Sequence, residues 1–156
     1  MFHIVLFEPK IPPNTGNIIR LCANTGCSLH LIEPLGFNLE EKALRRAGLD
    51  YHEFASVKTY PNWQSLVAIS GTDRMFTLST HNKIRYSDGT FKPSDWIVFG
   101  SETHGLPTEF RNSPSESQRL TLPMCEGNRS LNLSNSAAIV IYEAWRQIDF
   151  AGCATL

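Results

Sequence analysis

Paired cysteines are missing from this chain: Cys22, Cys27, Cys125 and Cys153 contain no Cys-x-x-Cys. A chain of 156 residues with 42% apolar content can bury a core without disulfide staples, so free thiols are expected. The five histidines (His3, His30, His52, His81, His104) are scattered singly and meet no cysteine at ligand spacing, which argues against a structural metal. No apolar run approaches the roughly 20 residues of a membrane helix. The opening Met1-Phe2-His3-Ile4-Val5-Leu6-Phe7 has no basic start and reaches Glu8 early, so neither an exported nor a membrane protein is expected, and a cytoplasmic location is. An excess of basic charge is also lacking. The net charge is -1 and the pI is near 6.5, so the global footprint of phosphate binding is absent. A local basic cluster, Lys42, Arg45 and Arg46, falls on one helix face, where plain solvation explains it best. Three familiar signatures are missing as well. Gly-x-Gly-x-x-Gly does not occur, no Lys-Ser or Lys-Thr follows Gly105, and Phe99 and Thr103 stand where Gly-x-Ser-x-Gly needs glycine. Dinucleotide binding, nucleotide hydrolysis and serine hydrolysis all lose support.

What is present is an alternation of short apolar runs with helical patterns. Strands are expected at Phe2 to Phe7, Ser28 to Ile32, His52 to Val57, Met75 to Ser79, Trp96 to Phe99 and Leu120 to Leu122. Helices are expected after Asn14, which offers a cap, with Asn24-Thr25-Gly26 as a stop; from Leu39 to Ala47, closed by Gly48; from Trp63 to Ile69; and from about Asn132 to Ile148. Lys83 to Pro93 and Arg111 to Gln118 are polar and bear Ser and Pro, so they read as loops. The alternation predicts an α/β fold, a parallel sheet with helices on both faces, formed by a single domain over 1-156. The last helix carries Ala137, Ile141, Ala144, Trp145 and Ile148 on one stripe, widened by Ile139 and Val140. That breadth suggests burial on two sides, as in a dimer interface.

Three segments carry the chemistry. Trp96 to Phe99 is a buried strand that breaks into Gly100-Ser101-Glu102-Thr103-His104-Gly105, and ligands of open α/β sheets bind at such strand ends. There Gly100 permits close approach of a ligand, and Glu102 can hold a cationic or hydroxyl-bearing group; a plain turn is an equal alternative. Asn128 to Ser136 packs seven polar residues around two leucines ahead of the last helix. A cap employs one or two of them, and the surplus points to a polar ligand or a knotted backbone. Asn14 to Arg20 opens a helix, whose free N–H groups favour anions, and the Arg20 fork suits a phosphate diester. Solvation of a lone arginine is the competing explanation.

Together these segments resemble the motifs of the SPOUT superfamily of RNA methyltransferases, in particular its small single-domain tRNA (cytidine/uridine) 2'-O-methyltransferases of the wobble nucleotide. Glu8-Pro9 with Pro12 to Leu21 is similar to the first motif, Phe99-Gly100 with Glu102-Thr103 and Gly105-Leu106-Pro107 to the second, and Asn132 to Ser136 through Tyr142 to Arg146 to the third. The resemblance implies a C-terminal trefoil knot, which ordinary topology rules would not predict, and a homodimer. It also implies S-adenosylmethionine held near Leu78, Gly100, Leu122, Ser130 and Leu131, with no metal required. Arg20 is then the catalytic residue at the reacting ribose of tRNA, with Asn14, Arg129 and Tyr142 as further substrate contacts. Such relatives tend to carry Pro and Arg where this chain has Ser101 and His104, so RNA binding here is expected to depend on the charge of His104. A non-catalytic RNA-binding protein that keeps the knotted fold is the alternative, and a small-molecule α/β enzyme is a third.

Overall fold

The computed structural model describes residues 1-39 and 57-154. Its elements are β1 (His3–Phe7), α1 (Pro12–Thr25), β2 (Ser28–Ile32), β3 (Val57–Tyr60), α2 (Trp63–Ser70), β4 (Met75–Leu78), β5 (Ile84–Arg85), β6 (Trp96–Phe99), α3 (Thr108–Arg111), β7 (Arg119–Thr121) and α4 (Leu133–Gln147). The helix expected over 39-47, its Lys42, Arg45 and Arg46, and the strand expected over 52-57 lie, but for their outer ends, outside the described residues.

All strand pairs are parallel, in the order β3-β2-β1-β6-β4-β7-β5. β1, β4 and β6 are central and almost wholly buried, which is why they read as unbroken apolar runs. Alternate residues of each strand feed opposite faces. Ile4, Leu6, Ile97 and Phe99 pack under α1 and α4, through Ile18, Ile19, Ala137 and Ile141. Val5, Phe7, Val98 and Met75 pack with Trp63 and Leu66 of α2, and with Leu106 and Phe110 at α3. Helices therefore cover both faces, and two cores flank the sheet.

Two expectations are corrected. The polar stretch Lys83 to Pro93 contains β5, whose Ile84 and Arg85 pair with Leu120 and Thr121; pairing to a distant strand, not local pattern, makes it a strand. Arg111 to Gln118 likewise takes in the end of α3 and a 3₁₀ turn at Glu116–Gln118. α1 begins two residues before Asn14: Ile11 is the N-cap, without a side-chain cap bond, and Pro12 and Pro13 open the helix. Proline is tolerated there because its missing N–H would have no helical partner. Gly26 closes α1 in the left-handed conformation at φ 69°. In α4 the stripe residues Ala137, Ile141, Ala144 and Trp145 are buried and Ile148, its C-cap, is partly so, while Ile139 and Tyr142 stay 39% and 48% exposed.

Candidate active site

At the C-terminal edge of the sheet, Leu78, Phe99 and Leu120 lie side by side in register. Just beyond them opens a cavity of about 670 Å³. Leu78, Gly100, Leu122, Ser130 and Leu131 all line it, and so does Asn14 from the first turn of α1. Strand ends at a point where the strand order reverses are where open α/β sheets bind ligands. Gly100 is needed here for a reason other than ligand approach. A Cβ on it would collide with the Gly105 carbonyl carbon and Leu106 N, so the chain's own returning loop fills that space. Ser101 and Gly105 close this loop with two backbone hydrogen bonds.

One hydrogen-bond chain ties the three segments together. Glu102 accepts from Lys10 N at 2.8 Å, from Ile11 N at 3.2 Å and from Asn14 Nδ2 at 3.0 Å. Asn14 Oδ1 accepts from Asn132 Nδ2 at 2.9 Å, and Asn132 Oδ1 accepts from Ser134 N and Asn135 N to cap α4. The chain is orientationally determined. A carboxylate that only accepts stands at one end and backbone N–H groups that only donate stand at the other, so both amides are fixed between them. Burial pushes the Glu102 carboxyl up, but the bonds from Asn14, Lys10 and Ile11 outweigh it and hold the group below the ordinary carboxylate range. The expectation that the start of α1 offers free N–H groups to an anion is thereby overturned. Two of its first residues are prolines with no N–H, and Glu102 already occupies the Ile11 donor and the neighbouring Lys10 donor. Glu102 is thus largely engaged within the chain, with three of its acceptor positions taken.

The mouth of the cavity carries His81, from the turn after β4, and His104, from the loop after β6; Arg111 at the end of α3 also lines it. His104 Nδ1 lies 2.8 Å from Thr103 Oγ1, which in turn lies 3.2 Å from Ser101 Oγ. His81 and Arg111 were not legible as site residues, because each is a lone polar residue in a stretch without a motif; the position of His81 in the turn that follows β4 was the available signal. Among the described residues no three His, Cys, Asp or Glu side chains converge as a metal would require, and no helix is long and apolar enough to cross a membrane.

The profile of the SpoU rRNA Methylase family matches residues 1-142, from β1 well into α4 and through all three segments. The chain belongs to the SpoU rRNA Methylase family. A relative from Methylovorus glucosotrophus, a tRNA (cytidine(34)-2'-O)-methyltransferase, is 59% identical over 97% of this chain and 99% of its own. A solved structure concerned with 2-OH methylation of C/U34 on tRNA is 38% identical, with a TM-score of 0.85 over 96% of this chain and 97% of its own. The AdoMet-bound rRNA methyltransferase of Sinorhizobium meliloti shares the fold, with a TM-score of 0.78 and 20% identity over 94% of this chain and 56% of its own.

In this SpoU-family chain the remaining expected site residues stand apart from the cavity. Arg20 lies on the exposed side of α1, six residues beyond Asn14, with its carbonyl accepting from Asn24 Nδ2. Arg129 is exposed one residue before the cavity-lining Ser130. Tyr142 is exposed on α4, edge-on to Trp145 at 5.7 Å between ring centroids. The structure thus brings the five expected cofactor residues and Asn14 together and leaves Arg20, Arg129 and Tyr142 outside.

Proposed function

We propose that this SpoU-family chain is a tRNA 2'-O-methyltransferase acting on cytidine or uridine 34, with S-adenosylmethionine as methyl donor. The observation that carries this is the cavity at the strand ends, walled by segments from across the chain and locked by Glu102, Asn14 and Asn132. Its volume lies within the roughly 300–1,000 Å³ of small-molecule sites. Its walls are both apolar (Leu78, Phe99, Leu122, Leu131) and hydroxyl-bearing (Ser79, Thr80, Ser130). Such a lining fits a ligand with a flat aromatic base at one end and polar groups along the rest, so the residues present suit the cofactor. Leu78, Gly100, Leu122, Ser130 and Leu131 would hold it.

When bound, S-adenosylmethionine supplies a methyl carbon already activated by its sulfonium charge. The chain's own part is to align the ribose 2'-oxygen and to help its proton leave. Arg20 is not a base, since a guanidinium with a pKa above about 12 keeps its proton. Arg20 instead grips the phosphate beside the target ribose through its fork and stabilises developing charge, while the proton passes to a phosphate oxygen or water. Asn14, Arg129 and Tyr142 contact the RNA. The partly exposed Ile139 on α4 supports a homodimer, which sets two copies of Arg20 and Arg129 around shared RNA. The placement of β7 between β4 and β5, with α4 carried back beside α1, supports the trefoil knot. A cytoplasmic site of action follows from tRNA as substrate.

Calorimetry with S-adenosylhomocysteine, followed by mass mapping of methyl groups in tRNA transcripts bearing C34 or U34, tests this reading. One bound cofactor per chain and methylation at the 2'-oxygen of nucleotide 34 are expected. Absence of cofactor binding with retained tRNA binding would instead indicate a non-catalytic RNA-binding protein.

A further inference from the structure

We propose that His81 and His104 are substrate-positioning residues whose protonated imidazoles grip RNA phosphate at the cavity mouth, so that tRNA binding takes up protons. The inference rests on the tRNA-methylation reading and adds to it a proton-linked step in substrate engagement.

The two histidines are distant in sequence and reach one cavity from the ends of β4 and β6. Both are exposed. Among the described residues, the other ionisable side chains lining that cavity are Arg111 and Glu102, and Glu102 is committed to Lys10 N, Ile11 N and Asn14. The described lining therefore has one permanent cation and two groups that become cations on protonation. Imidazole ordinarily changes charge between about pH 5 and 8. His104 is also presented in a defined way. Its Nδ1 is taken by Thr103 Oγ1, and Thr103 is steadied by Ser101, which leaves Nε2 to meet a ligand. His81 sits in a turn held by its own backbone N–H donating to Ser79 Oγ at 3.2 Å.

Charge makes the consequence sizeable. With neutral histidines the chain carries -1, which opposes a polyanion; protonating these two brings it to -1 + 2 = +1. A phosphate held by either imidazole favours its protonated form, and by linkage protonation favours the phosphate. Affinity for RNA therefore rises as pH falls through the imidazole range. Each added phosphate contact on a single-stranded loop steepens the dependence of log affinity on log salt by about 0.7.

The test measures binding of an unmodified C34 tRNA transcript to the full chain with S-adenosylhomocysteine, across salt, at about pH 6 and about pH 8. Roughly tenfold tighter binding is expected at the lower pH, with a salt slope steeper by up to about 1.4 for two contacts. His81→Gln with His104→Gln should lose both effects. His104→Arg should restore affinity at the higher pH without restoring the pH response. In steady state the glutamine variants should raise KM while kcat changes less than twofold. Imidazole NMR of the unsubstituted protein supplies a check free of variants: RNA must raise the titration midpoints of these two rings. Affinity constant within twofold across this pH range, a pH response that survives in the double variant, or midpoints that RNA does not move would each overturn the proposal. Failure of the underlying reading looks different, because methyl transfer and cofactor binding would then be absent at every pH.

Discussion

Replacing Glu102 with glutamine tests whether the three segments form one unit. The carboxylate accepts three hydrogen bonds through two oxygens, one from Lys10 N and two, from Ile11 N and Asn14 Nδ2, at the other oxygen. Glutamine has a single acceptor oxygen. In its better orientation it keeps the Ile11 and Asn14 bonds and turns its NH₂ toward the Lys10 N–H, so one bond becomes a donor facing a donor. The two bonds that survive lose their charge assistance. Hydrogen bonds to charged groups contribute about 1.5–3 kcal/mol each, and neutral ones about 0.5–1.5. One bond lost and two weakened therefore sum to about 4–5 kcal/mol, with water at this partly exposed group offsetting roughly half, so a net loss of about 2 kcal/mol is expected in urea unfolding. Because Asn14 and Asn132 are oriented through Glu102, cofactor affinity should fall about tenfold or more by calorimetry. The pH dependence provides a second check. A carboxyl held below its ordinary range contributes stability that is fully present above the unfolded group's value and is lost as pH falls through the folded one. The gap between the parent and Glu102→Gln should therefore close in acid. A change under about 0.5 kcal/mol with unaltered cofactor binding would refute the locked-site argument.

Gly100→Ala places a methyl against the Gly105–Leu106 backbone, where no flexible side chain can yield; loss of cofactor binding and destabilisation of about 2–4 kcal/mol are expected by calorimetry and denaturation. Arg20→Lys keeps charge and loses the fork, so kcat/KM should drop about tenfold or more with unfolding midpoints unchanged, and full activity would remove the clamp. Buried His30 bonds His3 Nδ1 at 3.0 Å and Tyr60 OH at 2.9 Å, and is pushed down to about 4, first by burial and then by His3 and Lys58. Because the unfolded chain takes up that proton first, stability is full above the ordinary imidazole value and should fall by about 2 kcal/mol from about pH 7 to 5, a slope that becomes shallower in His30→Gln, where His3, also pushed down by burial, still contributes. Asp at Ile139 should reduce a dimeric species to a monomeric one in light scattering, and an unchanged mass would place the interface elsewhere.

The parts of the fold that could be read from sequence are those where local pattern and burial agree. Trp96–Phe99 is buried on both faces, and the Asn24-Thr25-Gly26 stop needs only the left-handed turn that Gly26 makes. β3 is different. Val57–Tyr60 is an edge strand with Lys58 and Thr59 exposed, so its apolar signal is weak, and the strand expected over 52-57 meets it only at Val57. β5 has two residues and exists through Leu120 and Thr121, partners that no local window contains. α1 starts two residues before the expected Asn14 cap, on two prolines, because the first helical turn is where proline costs least.

The same division between local and distant cause runs through the site. The polar surplus at Asn128 to Ser136 was legible because a cap cannot employ so many side chains, and Asn132 shows why: it caps α4 with Oδ1 and reaches Asn14 with Nδ2. The identity of that partner was not legible, nor was the role of Glu102, because each bond joins residues about 90 or more apart. This changes where phosphate binding must reside. A helix start with open N–H groups would supply it from the backbone, but α1 opens with two prolines and the donors beside them face Glu102. Among the described residues, the side-chain cations placed to serve the proposed RNA contact include Arg20 and Arg129 outside the cavity and Arg111 in its lining, with the two imidazoles beside it. In a chain of net charge -1 each such cation weighs heavily, so removing one should register in the salt dependence of binding as well as in the rate.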